Sequence, residues 1–134
     1  MLNVEEIMTD NPISVETTTS VRKALSTLLN ADIRHLPVVD QGELAGMLSD
    51  RDFREFSFDP FHDDPSSIED RMERPVSEHM SGDVLFVEKG TDVTIVVDMM
   101  VEHKIGAVPV VDNTKSLVGI VSYIDVLAAL REQL

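Results

Sequence analysis

The 134-residue sequence has no cysteine and no tryptophan, and only 4% of its residues are aromatic. Without thiols there is no disulfide framework, thiolate nucleophile or zinc–thiolate centre. No apolar run approaches the ~20 residues that span a bilayer. The opening Met1-Leu2-Asn3-Val4-Glu5-Glu6 lacks the basic and apolar regions of a signal peptide. Positive charge is scarce: 11 Lys and Arg face 25 Asp and Glu, for a net charge of −14. Such a field repels nucleic-acid phosphates and anionic lipid headgroups, while leaving room for a small anion in a locally basic pocket. These absences predict a soluble cytoplasmic protein with no nucleic-acid partner and no membrane association.

What is present is a duplication. Ile33-Arg34-His35-Leu36-Pro37-Val38-Val39-Asp40 returns as Ile105-Gly106-Ala107-Val108-Pro109-Val110-Val111-Asp112. Gly46-Met47-Leu48-Ser49-Asp50-Arg51-Asp52 returns as Gly119-Ile120-Val121-Ser122-Tyr123-Ile124-Asp125. One offset holds without a gap from Val4/Val76 to Asp40/Asp112, and the next turn adds a single residue before Leu44/Leu117. Internal repetition decides architecture before any single residue does. Units of about 60 residues would be marginal alone, since they bury a lower fraction of their surface, so one body with a shared core is expected.

Each copy has a short lead-in, Val4 to Met8 or Val76 to Met80, then an extended stretch, Ile13-Ser14-Val15 or Val84-Leu85-Phe86-Val87. A helix follows. Val21, Ala24, Leu25, Leu28 and Leu29 form the stripe of a half-buried helix, matched by Val93, Val96, Val97, Met100 and Val101. Thr19 and Thr91, or Ser20 and Asp92 beside them, can cap its free amides. The Pro-Val-Val-Asp run and the segment at Leu44 or Leu117 read as a hairpin, with the proline where no ladder amide is needed. A last helix is expected near Asp52 and Asp125. The unit is β-α-β-β-α, a mixed α/β fold, with repeats at 1–58 and 76–134 and a connector at 59–75. Ser66-Ser67-Ile68-Glu69 carries a capping-box pattern that predicts a short helix toward Met72. The acidic, proline-broken stretch before it reads as a solvated connector pinned by its phenylalanines. Asp59, His62, Asp63 and Asp64 lack any known metal-ligand spacing, so no metal site is expected there.

These residues resemble the paired cystathionine-β-synthase-type (CBS) domains. The marks are the apolar-Pro-Val-Val-Asp strand and the apolar-x-Gly-apolar-apolar-Ser-x-x-Asp segment, and both copies carry both in order. The resemblance covers nearly all of the chain except the connector. It implies two repeats packed sheet against sheet with pseudo-twofold symmetry, leaving two clefts. It further implies homodimerisation into a disc of four repeats. Such pairs act as regulatory modules that sense AMP, ADP, ATP, S-adenosylmethionine or related compounds, either alone, as expected here, or attached to enzymes and channels.

The resemblance carries Asp52 and Asp125 over as ribose-binding residues. A carboxylate has two acceptor oxygens at about the spacing of the 2′- and 3′-hydroxyls. Ser49 and Ser122, one turn earlier, can donate to phosphate or ribose at a helix start that favours anions. The same pattern is also an ordinary helix cap. In the first copy, Arg34, His35 and Arg51 add basic groups, and the family often meets phosphate at the Arg34 and His35 positions. Guanidinium suits that task by its donor fork and permanent charge. Surface ion pairing is the plain alternative for the arginines, and a carbonyl-bonded, half-buried imidazole that for His35. Met47 either lines an adenine pocket or packs in the core. The second copy has Gly106-Ala107 and Tyr123-Ile124 at the matching places, so its site is expected to be empty, weaker or suited to a less charged adenosyl compound. No Walker-type loop, His-x-x-x-His spacing or nucleophile–base set is present, which predicts binding without catalysis. No cofactor is required. Magnesium arriving with a bound nucleotide is the route by which a metal would enter. The competing expectation is a ligand-free interaction module docking on a partner enzyme or transporter.

Overall fold

A computed structural model describes residues 2–54, 64–80 and 82–134. The element order contains β-α-β-β-α twice, as the duplication predicts. The chain divides into two compact units. One, the Asp52 unit, gathers residues 13–41 and 45–84; the other, the Asp125 unit, gathers the segment through Pro12 with 42–44 and 85–134.

In the Asp52 unit a three-stranded sheet has the order β2-β3-β4, from β2 (Val15–Glu16), β3 (His35–Asp40) and β4 (Glu43–Ser49). Strand β2 runs parallel to β3, with Val15 opposite Val38 and Glu16 opposite Val39. Helix α1 (Val21–Ala31) crosses between them, and the short helix α2 (Asp50–Arg54) follows β4 directly. Val15, Val21, Ala24, Leu28, Leu36, Val38, Leu48 and Val76 form the buried cluster. Burying side chains of this size contributes about 1.5–3 kcal/mol each.

The Asp125 unit holds a four-stranded sheet in the order β1-β7-β6-β5: β1 (Thr9–Asp10), β7 (Leu117–Ser122), β6 (Ala107–Val111) and β5 (Val87–Glu88). Strands β6 and β7 are the expected antiparallel hairpin, and β5 lies parallel to β6 with Val87 opposite Val110. Helices α4 (Val93–His103) and α5 (Tyr123–Arg131) complete it. Val4, Val87, Val96, Val108, Val110 and Val121 form its buried cluster. Each unit therefore has a cluster of its own, where the small size of the repeats had suggested one shared core.

The lead-ins are exchanged. The Val4 N–H donates to the Thr91 carbonyl (2.9 Å) and the Val93 N–H to the Leu2 carbonyl (3.0 Å). At the equivalent positions, the Val76 N–H donates to Thr19 (2.8 Å) and the Val21 N–H to Arg74 (2.9 Å). Thus Val4 is buried with the second repeat's strands and Val76 with the first repeat's.

Local features settle one choice between expected caps and change several other expectations. The helix caps are Ser20, which accepts from the Lys23 N–H, and Asp92, which accepts from the Thr94 N–H and hydroxyl. Thr91 instead donates its hydroxyl to the Glu88 carbonyl. The last residue of each apolar stripe is out in solvent: Leu29 and Val101 are both 71% exposed. At 3.6 residues per turn Leu29 lies about 80° round the helix from Val21, and α1 ends two residues later in a left-handed turn at Asp32. Ile13 and Leu85 precede the short strands rather than lying within them. The connector helix α3 (Pro65–Glu73) is present, but Asp64 caps it and Pro65 opens it. Proline fits there because the first helical N–H has no intrahelical acceptor. Glu69, the expected box partner, pairs with Arg22 of α1 (2.6 Å), as does Glu73 (3.0 Å). Asp59, His62 and Asp63 lie outside the described residues, as do Phe56, Phe58 and Phe61.

Candidate functional site

Strand β4 ends at Ser49 and β7 at Ser122, and in both units a helix begins at the next residue. The last helices thus start at Asp50 and Tyr123, two residues before the acids near which they were expected. The first amide of each helix is tied back to the start of the neighbouring strand. The Asp50 N–H donates to the Arg34 carbonyl (3.0 Å), and the Tyr123 N–H to the Gly106 carbonyl (2.9 Å). Only backbone atoms take part, so the frame is the same in both units although the side chains differ.

Within that frame the serine and acid meet. In the Asp52 unit the Ser49 N–H (2.8 Å) and hydroxyl (3.2 Å) both donate to Asp52 Oδ2. In the Asp125 unit the Ser122 N–H donates to Asp125 Oδ2 (2.8 Å), and Ser122 Oγ accepts from the Asp125 N–H (3.2 Å), a reciprocal capping box. The full helix cap is therefore present in the Asp125 unit, whereas in the Asp52 unit the acid supplies its half by accepting from the Ser49 N–H and the serine hydroxyl donates instead of capping. Each arrangement uses one carboxylate oxygen. Among the described residues Oδ1 of each acid has no hydrogen-bond partner, and both acids are only half-buried. One acceptor thus holds the helix start while the other is free to accept from a hydroxyl.

Strand alternation places Met47. Leu44, Gly46 and Leu48 are buried, while Ala45, Met47 and Ser49 occupy the other, half-buried face of β4. Met47 therefore shares a face with Ser49, as Ile120 does with Ser122 on β7. Arg34 and Arg51 are exposed, and among the described residues neither forms an ion pair, whereas Arg22 and Arg74 each bridge two carboxylates. His35 opens β3 and is half-buried, with no carbonyl bonded to its ring among the described residues. Burial holds its pKa below the usual histidine value; Asp50 and Asp52 pull it up and Arg34 pushes it further down. His35 is thus mainly neutral at neutral pH.

Ile13 and Leu85 are residues that the motifs alone do not single out. The parallel register places Ile13 level with Leu36 and Leu85 level with Val108, at the sheet end where the serines and acids stand. Ile13 is 49% exposed and Leu85 38% exposed, so each leaves apolar surface uncovered at that end. Their pairing across the duplication was a visible signal; their exposure was not. Among the described residues no group of His, Asp and Glu could hold a metal ion, and no helix is long and apolar enough to cross a membrane.

Two β-α-β-β-α repeats, each presenting a serine-capped acid at one end of its sheet, define a class of tandem α/β module. The CBS domain family model matches residues 4–59 and 76–132, and the chain belongs to that family. It is 32% identical over 129 residues to a CBS domain-containing protein of Dictyostelium discoideum, spanning 92% of this chain and 88% of that one. A homoserine O-acetyltransferase of Methanocorpusculum labreanum is 30% identical over 122 residues, but the match covers 90% of this chain and only 23% of the enzyme. Among solved structures, CBSX2 in complex with AMP superposes over 100% of both chains, with a TM-score of 0.83 and 29% identity. The CBS domain pair of MJ0100, in complex with 5′-methylthioadenosine and S-adenosyl-L-methionine, covers 100% of this chain and 99% of that one, with a TM-score of 0.81 and 25% identity.

Proposed function

We propose that this chain is a non-catalytic regulatory module that binds an adenosine-containing ligand, with its repeats at 1–58 and 76–134 joined by the connector 59–75. The observation that carries this reading is the acid built twice in one setting, one oxygen capping a helix and the other open. A ribose hydroxyl donating to that free oxygen would form a charge-assisted bond, stronger than a neutral one. In the Asp52 unit, Ser49, Met47, His35, and Arg34 and Arg51, which form no ion pair among the described residues, add what a nucleotide needs: an apolar side chain for the base and cations for phosphate. AMP, ADP or ATP is the ligand class that fits, with Mg2+ as a companion of the longer phosphates. The likeness to CBSX2 in complex with AMP supports this choice.

The Asp125 unit favours a second ligand. Ser122 and Asp125 repeat the ribose acceptor, but Gly106, Ala107, Tyr123 and Ile124 bring no charge. A less charged adenosyl compound suits it, in line with the 5′-methylthioadenosine and S-adenosyl-L-methionine of MJ0100. The module would act as a cytoplasmic homodimer that transmits ligand state to a partner enzyme or transporter. Its net charge of −14 argues against nucleic acid and anionic membranes.

A thermal-shift panel of AMP, ADP, ATP, 5′-methylthioadenosine and S-adenosylmethionine, with and without Mg2+, tests the reading. A ligand at ~100 times its dissociation constant adds ~2.7 kcal/mol of stability. No shift across the panel at millimolar ligand overturns it and leaves the interaction module.

A further inference from the structure

The duplication supplies an internal control for His35, the titratable ring that the Asp52 carboxylate acts on. The bond from Asp50 N–H to the Arg34 carbonyl has its twin in Tyr123 and Gly106, and the capped acid has its twin in Asp125. Only in the Asp52 unit does this frame carry a half-buried imidazole at the first residue of the strand. Ala107 takes that place in the other unit, and Tyr123 takes that of Asp50. The same backbone bond forms beside alanine in the other unit, so that bond does not depend on the imidazole.

We infer that His35 couples anion binding at the Asp52 site to proton uptake, so that the site distinguishes phosphorylated from uncharged adenosyl ligands according to pH. The inference rests on the adenosine-ligand reading above. Among the described residues the charged groups acting on the ring are Asp50 and Asp52 from α2 and Arg34 from the residue before it. The two acids favour the imidazolium, and Arg34 and burial oppose it. Burial wins, and the free site holds a mainly neutral ring. A phosphate drawn in by Arg34 and Arg51, which form no ion pair among the described residues, adds negative charge beside this ring, and the proton then goes on. An uncharged ligand brings no such charge and would draw no proton. Each pKa unit by which phosphate raises the ring corresponds to about a tenfold change in affinity between its protonated and neutral forms.

The test is calorimetry on the full chain near neutral pH, with AMP and with 5′-methylthioadenosine, in two buffers of different ionisation enthalpy. Wild type is compared with His35→Gln, because AMP's own phosphate titrates in both. The expected result is an uptake on AMP binding that is larger in wild type than in the variant, and none on methylthioadenosine binding. AMP affinity should also fall more steeply from about pH 6 to 8 in wild type, by up to about tenfold per unit of ring shift. Equal AMP uptake in the two proteins, or equal uptake with both ligands, overturns the coupling while leaving the adenosine reading intact. If neither ligand binds wild type, the adenosine reading fails and the coupling fails with it. If His35→Gln does not fold, NMR titration of the wild-type ring decides: its pKa should rise on saturation with AMP, and an unchanged value overturns the inference.

Discussion

Asp52→Asn separates the two roles of this acid. In the structure Asp52 Oδ2 accepts from the Ser49 N–H and hydroxyl, while Oδ1 has no partner among the described residues. The asparagine amide oxygen can keep the cap in place of Oδ2, so stability should fall by well under the ~0.5–2 kcal/mol of a lost cap. The amide nitrogen then stands in place of Oδ1 and has no lone pair for a ribose hydroxyl. A hydrogen bond to a charged group contributes about 1.5–3 kcal/mol, which at 1.4 kcal/mol per decade is roughly a 10- to 150-fold loss of affinity. Asp52→Ala should lose both, weakening binding and costing about 1 kcal/mol of stability. Urea denaturation gives the stability and isothermal titration with AMP the affinity. If Asp52→Asn binds AMP as wild type does and Asp125→Asn does not, the nucleotide lies in the other unit and the case built on Arg34 and Arg51 collapses. If both variants bind normally, neither acid holds ribose.

Four further outcomes test the fold and its charges. Gly119→Ala would drive a Cβ into the Met8 side chain, so it should destabilise by up to about 1–3 kcal/mol, as overpacking does, less whatever Met8 relieves by moving. Met8→Ala should relieve most of that in the double variant, and strictly additive denaturation energies would contradict the contact. Val4→Ala and Val76→Ala, each fully buried, should each cost about 2 kcal/mol in urea melts; losses near zero would mean that the exchanged lead-ins do not plug the cores. His35 has a folded pKa below its unfolded value, so the unfolded chain binds more protons between the two. Stability from this group is therefore present above about pH 6.5 and is lost as pH falls toward the folded pKa. His35→Gln should flatten that segment of the stability–pH curve, and an unchanged slope would mean that the ring is not held neutral. Arg22→Ala should leave stability nearly unchanged despite its two carboxylate partners, because exposed pairs contribute little; a clear loss in a melt would show that these ion pairs hold α3 to α1.

The repeat unit, its hairpins and the pairing of Ser49 with Asp52 were legible because they rest on local patterns: a stripe, a proline before a strand, a serine three residues ahead of an acid. The exchange of lead-ins was not, and the reason is symmetry. Val4 and Val76 occupy equivalent places, so each is buried against equivalent neighbours whether it packs on its own repeat or on the other. A duplicated sequence carries the same apolar pattern in both cases, and no reading of that pattern can separate them. Leu29 and Val101 escaped for a different reason. Each lies at the margin of its stripe, where a helix ending within two residues decides whether the side chain is covered. The ionic state of His35 was also hidden, since burial outweighs two carboxylates only once α2 is placed against β3.

The same symmetry explains how one frame would accommodate the two ligand chemistries proposed for it. The bonds that fix the sheet end are the Asp50 and Tyr123 amides on the Arg34 and Gly106 carbonyls, together with the capped acids. The first pair is blind to side chain, because every residue except proline offers an amide and every residue offers a carbonyl. Arg34 can thus stand where the other copy has glycine, His35 where it has alanine, and Asp50 where it has tyrosine, without loss of a framework bond. The acids cannot vary so freely, since each caps its helix. The fold therefore holds Asp52 and Asp125 in place and leaves their neighbours free to diverge. Divergence at those neighbours is what the proposed change of ligand charge, at an acceptor kept in both units, would require.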